Sequence, residues 1–149
     1  MDSSHLSALG RKIPIPSEPT ASILEAFDNP RPGTDYIVTL DCPEFTSMCP
    51  VTGQPDFGRW VVDYCPIARC VESKSLKLYL ASYRNYGCFW EDISNRIAGD
   101  LHGLLQPKWL RLTGYMASRG GIGITTTVLL GDEARAAGMI GNLRATRPA

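Results

Sequence analysis

Residues 44–57 bring together the groups of this chain best suited to covalent chemistry. Cys49 supplies a thiol, Pro50 and Gly53 shape a tight turn after it, and Asp56 supplies a carboxyl group seven residues further on. A thiolate can attack a polarised carbon while a carboxylic acid gives a proton to the atom that gains charge. The segment therefore predicts a nucleophile and a proton donor in one folded-back loop.

Spacing alone leaves a structural role open for this cysteine. A cysteine is more often a small buried hydrophobe than a nucleophile. We expect that structural role for the other four cysteines: Cys42, Cys65, Cys70 and Cys88. An ionised carboxylate beside sulfur would raise the thiol pKa, so the catalytic pair requires Asp56 to carry the proton.

A second polar group lies at the predicted start of a helix. The run Glu72-Ser73-Lys74-Ser75-Leu76-Lys77 places two lysines three residues apart, and Ser73 can cap the helix. Amides at a helix start, together with lysines, favour an anion such as phosphate. A capped helix with a solvated lysine face is the commoner outcome of this pattern. No G-x-G-x-x-G follows a predicted strand, so the Rossmann dinucleotide fingerprint is not indicated.

Two further sites each carry a functional and a structural interpretation. Arg119 with Gly120 places a cation on a turn, which suits either a phosphate or a tight hairpin. Glu91 could accept two N–H groups from a guanine-type ring, or be an ordinary first-turn glutamate favoured by the helix dipole. Phe89 and Trp90 could stack on a flat heterocycle or belong to the core.

The elements that must position these residues form a mixed pattern. Strands are predicted at residues 36–42, 58–64, 109–116 and 122–130, and helices at 75–85 and 89–105. Residues 43–57 are predicted to be a loop. The order β-β-α-α-β-β predicts an α+β fold, with a four-stranded antiparallel sheet and two helices on one face.

At 149 residues the chain fits one domain with flanking segments. Residues 1–34 contain five prolines and predict an irregular N-terminal arm with a short helix at 21–27. Residues 35–131 are predicted to form the catalytic domain, and residues 132–149 a C-terminal tail with weak helical character. Open sheet edges favour an oligomer.

Composition argues against several classes of protein. Fifteen basic and fifteen acidic residues give zero net charge, which makes a nucleic-acid partner unlikely on balance of charge alone. No apolar run is long enough for a membrane span, and the N-terminus does not read as a signal peptide. Five cysteines without a C-x-x-C pair argue against a disulfide framework and a zinc ribbon, so we expect a cytoplasmic protein without a metal.

Several blocks together resemble the NADPH-dependent 7-cyano-7-deazaguanine (preQ0) reductase family in its short single-domain form. In order and spacing they cover about residues 35–123, and the first two are highly specific. They are EFTSMCPVTGQPDF at 44–57, VESKSLKLYL at 71–80, Phe89 with Glu91 and Asp92, PKW at 107–109, and RGGI at 119–122.

The resemblance implies a tunnel fold, in which subunits form rings and two rings stack, usually as a homodecamer. It also implies NADPH-dependent reduction of a deazapurine nitrile to a primary amine in queuosine biosynthesis. Cys49 would form a thioimidate with the nitrile carbon, and Asp56 would supply a proton. The implied substrate-binding residues are Glu91, Phe89, Trp90, Val71 and Ser73; the implied cofactor-binding residues are Glu72, Ser73, Lys74, Ser75, Lys77, Arg119 and Gly120.

One position departs from the family pattern. Trp90 stands where the family has a histidine that shares proton handling with the aspartate, and tryptophan is neither acid nor base. Three interpretations follow: Asp56 manages the protons alone, the thioimidate is resolved by ammonia or water to an amidine or amide, or the protein binds a deazapurine without catalysis. A cysteine common in the family's second helix is also absent, since Ile93 and Ser94 occupy that stretch.

Overall fold

The structure, a computed structural model, describes Ser7 and residues 12–144, the last three as backbone only. A 3-10 turn at Ala21–Ile23 precedes the first strand. The strands are β1 (Ala26–Asp28), β2 (Val38–Met48), β3 (Pro55–Cys65), β4 (Arg69–Val71), β5 (Trp109–Met116) and β6 (Thr125–Gly131). The helices are α1 (Ser73–Ala81), α2 (Trp90–Leu105) and α3 (Glu133–Arg144). Among the described residues, none of these helices is both long and apolar enough to cross a membrane.

The main sheet has four antiparallel strands in the order β2-β3-β5-β6. Side chains alternate between its faces, so Trp60, Val62 and Tyr64 point to one side and are buried. They pack with Leu110 and Leu112 of β5 and with the apolar sides of α1 and α2. The predicted α+β architecture, with two helices on one face of an antiparallel sheet, is confirmed.

Helix α3 covers part of the opposite face of this sheet. Cys65, Trp109 and Ala136 form a second small buried cluster, against which Met139 and Ile140 pack. The indole N–H of Trp109 donates to Met139 Sδ at 3.4 Å. The predicted C-terminal tail therefore contributes a packed helix as far as the structure describes it.

The prediction of a helix at residues 21–27 is wrong. Only the 3-10 turn forms there, and β1 follows it and pairs antiparallel with β4, with Ala26 opposite Val71. The glutamate between turn and strand, Glu25, accepts the Glu72 backbone N–H through its own carbonyl at 2.8 Å. Pairing to a distant strand thus overrides local helix propensity at this end of the arm.

The prediction of a loop at residues 43–57 is also wrong at both ends. Strand β2 continues to Met48 and β3 begins at Pro55, so the connection spans only residues 49–54. Pro43 is tolerated because β2 is an edge strand whose register shifts between Cys42 and Phe45. The hairpin is therefore longer and more rigid than its proline content suggests.

The helix boundaries differ from prediction mainly in α1. It starts at Ser73 and ends at Ala81, where residues 75–85 were expected, because Ser82 ends the regular turn. Helix α2 ends at Leu105, and the capping residue Gln106 adopts the left-handed conformation with φ 45° ahead of Pro107. The last strand starts at Thr125, three residues later than predicted.

Candidate active site

Cys49 is the first residue of the tight turn that joins β2 to β3. Its N–H donates to Gln54 O at 2.8 Å, and its carbonyl accepts from Gly53 N–H at 3.0 Å. Gly53 has φ 65°, a conformation that other residues rarely adopt. The turn is thus held at both ends, and the thiol is half-buried at its start.

The turn also lowers the pKa of the Cys49 thiol from 9.0 to about 7. The largest cause is a hydrogen bond from the Thr52 side chain, followed by the backbone N–H groups of Thr52 and Val51. Partial burial opposes these donors, and the Arg119 side chain adds a smaller lowering. Donors aimed at sulfur favour its anionic form, so much of Cys49 is thiolate at neutral pH.

Three of the other four cysteines have a thiol pKa that is raised and not lowered. Burial raises the pKa of Cys42 and of Cys88 to about 11, with Asp41 and the Asp92 hydrogen bond as the respective further causes. Burial also raises the pKa of Cys65. Cys70 is buried in β4, which pairs with β1. None of the five cysteines forms a disulfide. A perturbed thiol on an accessible turn is typical of a functional site.

Asp56 lies at the start of β3 and not in a loop, with its side chain on the helix-covered face. It is 6% exposed and lies directly opposite Ser47 of β2, which is fully buried. Arg119 Nη1 lies 2.6 Å from Asp56 Oδ1. This contact lacks hydrogen-bond geometry, and Asp56 Oδ1 and Ser47 Oγ are both buried atoms without a hydrogen-bond partner among the described residues. The guanidinium therefore lies against the Asp56 carboxyl group without a directed hydrogen bond.

Arg119 is positioned by the turn between β5 and β6. Arg119 and Ile122 exchange backbone hydrogen bonds of 3.0 and 3.1 Å across Gly120 and Gly121, both of which have positive φ. Because β5 pairs with β3, with Met116 opposite Gly58, this turn lies at the same end of the sheet as Cys49. Sheet order therefore brings the thiol, the carboxylate and the guanidinium together.

The start of α2 lies beside the Cys49 turn. Met48 N–H donates to Tyr86 O at 3.1 Å, and Cys88 N–H donates to Met48 O at 3.2 Å. Phe89, immediately before α2, is 59% exposed, and Glu91 is exposed in its first turn. An aromatic face and a carboxylate are thus available next to the thiol.

Trp90 points the other way, into the core. It is 4% exposed and stacks on Trp60 at 4.4 Å between ring centroids, with Phe45 edge-on at 5.7 Å. Its indole packs against Gly58, where an added Cβ would overlap the ring. The structure places Trp90 in the core behind the Cys49 turn, where it contributes aromatic packing.

Comparisons with known proteins agree with this geometry. A family model described as "QueF-like protein" matches residues 55–135. Proteins named NADPH-dependent 7-cyano-7-deazaguanine reductase are similar throughout most of the chain. The one from Agrobacterium fabrum is 55% identical over 123 residues, which are 83% of this chain and 80% of the relative.

The chain belongs to the QueF-like family.

A second relative agrees with this assignment in sequence, and a solved structure agrees with it in fold. The reductase of the same name from Bacteroides fragilis is 53% identical over 119 residues, covering 80% of this chain and 79% of the relative. The crystal structure of an archaeosine synthase QueF-Like in the apo form superposes with a TM-score of 0.60 at 19% identity. The superposition covers 64% of this chain and 94% of the archaeosine synthase chain. At 19% identity it supports the fold alone.

The start of α1 corrects the expected anion site of this QueF-like chain. Glu72, not Ser73, caps the helix: its carboxylate accepts the N–H groups of Lys74 at 2.9 Å and of Ser75 at 2.7 Å. These amides are therefore already hydrogen-bonded. Glu72 and Ser75 are buried, whereas Ser73 and Lys77 are exposed.

A groove of about 520 Å³ runs between β2 and α1. Ser73, Lys77 and Arg84 contribute hydroxyl and cationic groups to one wall, and Thr39–Thr46 of β2 form the other. The volume is within the range of small-molecule sites. Arg119 and Gly120 are not part of its lining. The predicted cofactor residues therefore lie in two places. Those of residues 72–77 lie at the start of α1, beside the groove, and Arg119 and Gly120 lie at the Cys49 end of the sheet.

The last of the predicted substrate-binding residues, Val71, lies in the core. Val71 is 5% exposed in β4, so like Trp90 it supports the site from the core. Among the residues that the structure describes, no cluster of three or more metal-ligating side chains occurs. Sequence reasoning missed Thr52 and Ser47, although both belong to the 44–57 block that singled out Cys49.

Proposed function

We propose that this chain reduces the nitrile of 7-cyano-7-deazaguanine to an aminomethyl group with NADPH, in queuosine biosynthesis. The observation that carries the proposal is the Cys49 thiol, with a pKa lowered to about 7 and a buried carboxyl group, Asp56, in the same hairpin. The names of relatives more than 50% identical support the same reaction and the same cofactor.

In the proposed mechanism the Cys49 thiolate adds to the nitrile carbon. A C–S bond forms, one π pair of the C≡N bond moves to nitrogen, and Asp56 gives that nitrogen a proton, which yields a thioimidate. NADPH, when bound, supplies the hydride equivalents for reduction to the amine. The protein must meanwhile keep water from the thioimidate carbon, and the exposed ring of Phe89 lies beside the turn where this shielding is needed.

Substrate recognition is proposed to depend on the start of α2. The Glu91 carboxylate would accept adjacent N–H donors of the guanine-like edge, and Phe89 would stack on the ring. Ser73 would contribute from α1. Val71 and Trp90 would act by packing beneath these groups, because both are buried.

Ser73 and Lys77 line the groove, and together with Lys74 at the start of α1 they suit an anionic dinucleotide. We propose that Ser73, Lys74 and Lys77 hold the NADPH phosphates, because hydroxyl and ammonium groups bind phosphate oxygens. Glu72 and Ser75 would position this helix start through their hydrogen bonds. The acidic residues on the β2 wall include Asp41, which is paired with Arg59 at 2.6 Å.

Proton handling is proposed to rest on Asp56 without a histidine. His102 lies in the last turn of α2, far along the helix from Trp90, and His5 lies outside the described residues. The buried indole of Trp90 cannot exchange a proton.

We also propose that the chain assembles as stacked rings with a tunnel fold, as a cytoplasmic homo-oligomer. Among the residues that the structure describes, eight large hydrophobic side chains are exposed, and five of them lie at the Cys49 end of the sheet. The five are Val51, Phe57, Phe89, Tyr115 and Ile122. Such a concentration of apolar surface favours burial against another subunit. The division into an arm at 1–34, a catalytic domain at 35–131 and a tail at 132–149 stays a prediction.

The test is a turnover assay with purified protein, NADPH and 7-cyano-7-deazaguanine. We expect loss of the reduced-nicotinamide absorbance and formation of the aminomethyl product by mass spectrometry. Cys49→Ala should abolish both, and Asp56→Asn should reduce both at least tenfold. An amidine or amide product with no NADPH consumption would contradict the proposal and favour a thioimidate resolved by ammonia or water.

A further inference from the structure

Arg119 acts on both groups proposed to do the chemistry. Its guanidinium lies 2.6 Å from Asp56 Oδ1, and as a donor it also contributes the smallest part of the lowering of the Cys49 thiol pKa. The Asp56 side chain is 7% exposed, whereas Arg119 is half exposed, so the cation closes the solvent side of a buried carboxylate. The rigid turn with Ile122 fixes the backbone from which it reaches inward.

Arg59, on the same strand as Asp56, forms an ion pair that can be compared with the Arg119 contact. Arg59 donates to both oxygens of Asp41 at 2.7 and 2.6 Å, and both partners are half exposed. That pair has good hydrogen-bond geometry and weak burial, and the thiol next to it, Cys42, has a raised pKa. The Arg119 contact has poorer angles, a buried carboxylate and a nucleophile, so stabilisation of a surface pair does not account for it.

We propose that Arg119 is a catalytic residue that bridges the Cys49 sulfur and the Asp56 carboxylate and keeps one exchangeable proton between them. The nitrile step of this inference rests on the proposed function. With the cation in place, the three groups are neutral together when Cys49 and Asp56 share a single proton. Around the buried Asp56 carboxyl group this balance is favoured over one in which both groups are ionised and one negative charge stays uncompensated.

The shared proton is the one that the nitrile nitrogen receives when the thiolate adds. The sulfur lone pair forms the C–S bond, the displaced π pair goes to nitrogen, and the proton passes from Asp56 to that nitrogen. Asp56 is left as a carboxylate, already paired with Arg119, so no unpaired charge develops in the site. Arg119 thereby stabilises the thiolate before addition and the carboxylate after it.

Other ionisable groups at this end of the molecule do not duplicate this role. Cys88 donates to Asp92 at 2.9 Å, which occupies both, and Glu91 is exposed on the first turn of α2. Ser47, opposite Asp56, is uncharged. Of the described side chains that act on the Cys49 thiol or contact Asp56, Arg119 is the one with a positive charge.

The decisive experiment measures Cys49 in the absence of NADPH, where a cofactor role of Arg119 has no influence. Iodoacetamide alkylation of Cys49 is followed against pH by peptide mass spectrometry in the wild type, Arg119→Gln, Arg119→Lys and Arg59→Gln. We expect the midpoint of reactivity to rise in Arg119→Gln and to be partly restored in Arg119→Lys. Arg59→Gln, the same change in an ion pair on the opposite face of the sheet from Asp56, should match the wild type.

The same four proteins are then incubated with 7-cyano-7-deazaguanine alone, and adduct formation is followed by intact mass. We expect Arg119→Gln to slow the adduct by about tenfold or more, the effect of removing one charge-stabilising donor. Wild-type alkylation and adduct rates in Arg119→Gln, with only a higher KM for NADPH, would overturn the inference. A shifted alkylation midpoint with no adduct in any protein, the wild type included, would support the bridging role and contradict the proposed substrate.

Discussion

At the residue scale, the hairpin turn activates a thiol by aiming donors at it. The Thr52 side chain and the N–H groups of Thr52 and Val51 lower the Cys49 pKa to about 7, whereas Cys42 and Cys88 are raised to about 11. At neutral pH the thiolate is the reactive form. Chemical selectivity among five cysteines thus follows from one turn.

Thr52→Val tests this cause directly. Without the hydroxyl donor the pKa of Cys49 should rise from about 7 towards its ordinary value of 9.0, so the thiolate is present only at higher pH. The alkylation rate at pH 7 should fall roughly fivefold, which corresponds to a rise of about one pKa unit, and converge with the wild type near pH 10.

Thr125→Val, the same change on the exposed start of β6, is the matched control and should leave the alkylation profile unchanged. Peptide mapping should also find Cys49 modified before Cys42 and Cys88. An unmoved midpoint in Thr52→Val would mean that the hydroxyl does not set the thiol pKa.

Much of this centre could be predicted from residue types and motifs. Cys49 and Asp56 stand in one short block, and the structure keeps them in one hairpin. The position of Arg119 could not be predicted, because it depends on which strand lies beside β3. Only the β2-β3-β5-β6 order brings a turn 63 residues further along the chain to Asp56.

At the element scale, α2 is docked through aromatic packing at its first residue. Trp90 stacks on Trp60, and Gly58 leaves room for the indole. Trp90→His therefore removes core packing at the same time as it introduces an ionisable side chain. A slower Trp90→His enzyme would be hard to interpret unless stability is measured beside activity.

We expect Trp90→His to lower the free energy of unfolding by about 2–4 kcal/mol, within the range for loss of a large buried aromatic side chain. Trp90→Phe, which keeps an aromatic ring, should cost less. Urea unfolding measures both. A Trp90→His protein as stable as the wild type would mean that the indole is not a core group.

Gly58→Ala probes the same contact from β3. The new Cβ would overlap the Trp90 ring and lie 2.5 Å from the carbonyl oxygen of Tyr115, so we expect a loss of about 1–3 kcal/mol from overpacking. Gly33→Ala has no neighbour within 4 Å and should be nearly neutral. Equal unfolding midpoints for the two variants would refute the close approach.

The elements were predicted best where the pattern was long and periodic. Helix α2 and strand β5 match closely, because sixteen and eight residues carry a clear repeat. The pair β1-β4 was missed, since each strand has only three residues and the pairing spans some 45 positions. The proline-rich ends of β2 and β3 were assigned to a loop because edge-strand context is invisible to local patterns.

At the scale of the whole molecule, the open sheet face and its ends determine how subunits can meet. Helix α3 covers one end, where Asp35 pairs with both Lys108 and Arg135. The other end carries Cys49 and the exposed apolar side chains. We therefore expect subunits to meet at the catalytic end.

Light scattering after size-exclusion chromatography should give a mass of about ten times the chain mass of 16.3 kDa. Ile122→Asp should dissociate the assembly, because Ile122 is 71% exposed beside the site. Ile67→Asp is the matched control, since Ile67 is exposed after β3 at the far end of the sheet. A monomeric wild type, or dissociation by Ile67→Asp alone, would contradict this interface.

The central claim is that Cys49 captures a nitrile covalently, and intact-mass spectrometry tests it most directly. With 7-cyano-7-deazaguanine alone, the wild type should gain the mass of one substrate molecule per chain, and Cys49→Ala should gain none. Addition of NADPH should then remove the adduct as the aminomethyl product appears. No adduct on the wild type, or an equal adduct on Cys49→Ala, would contradict the account.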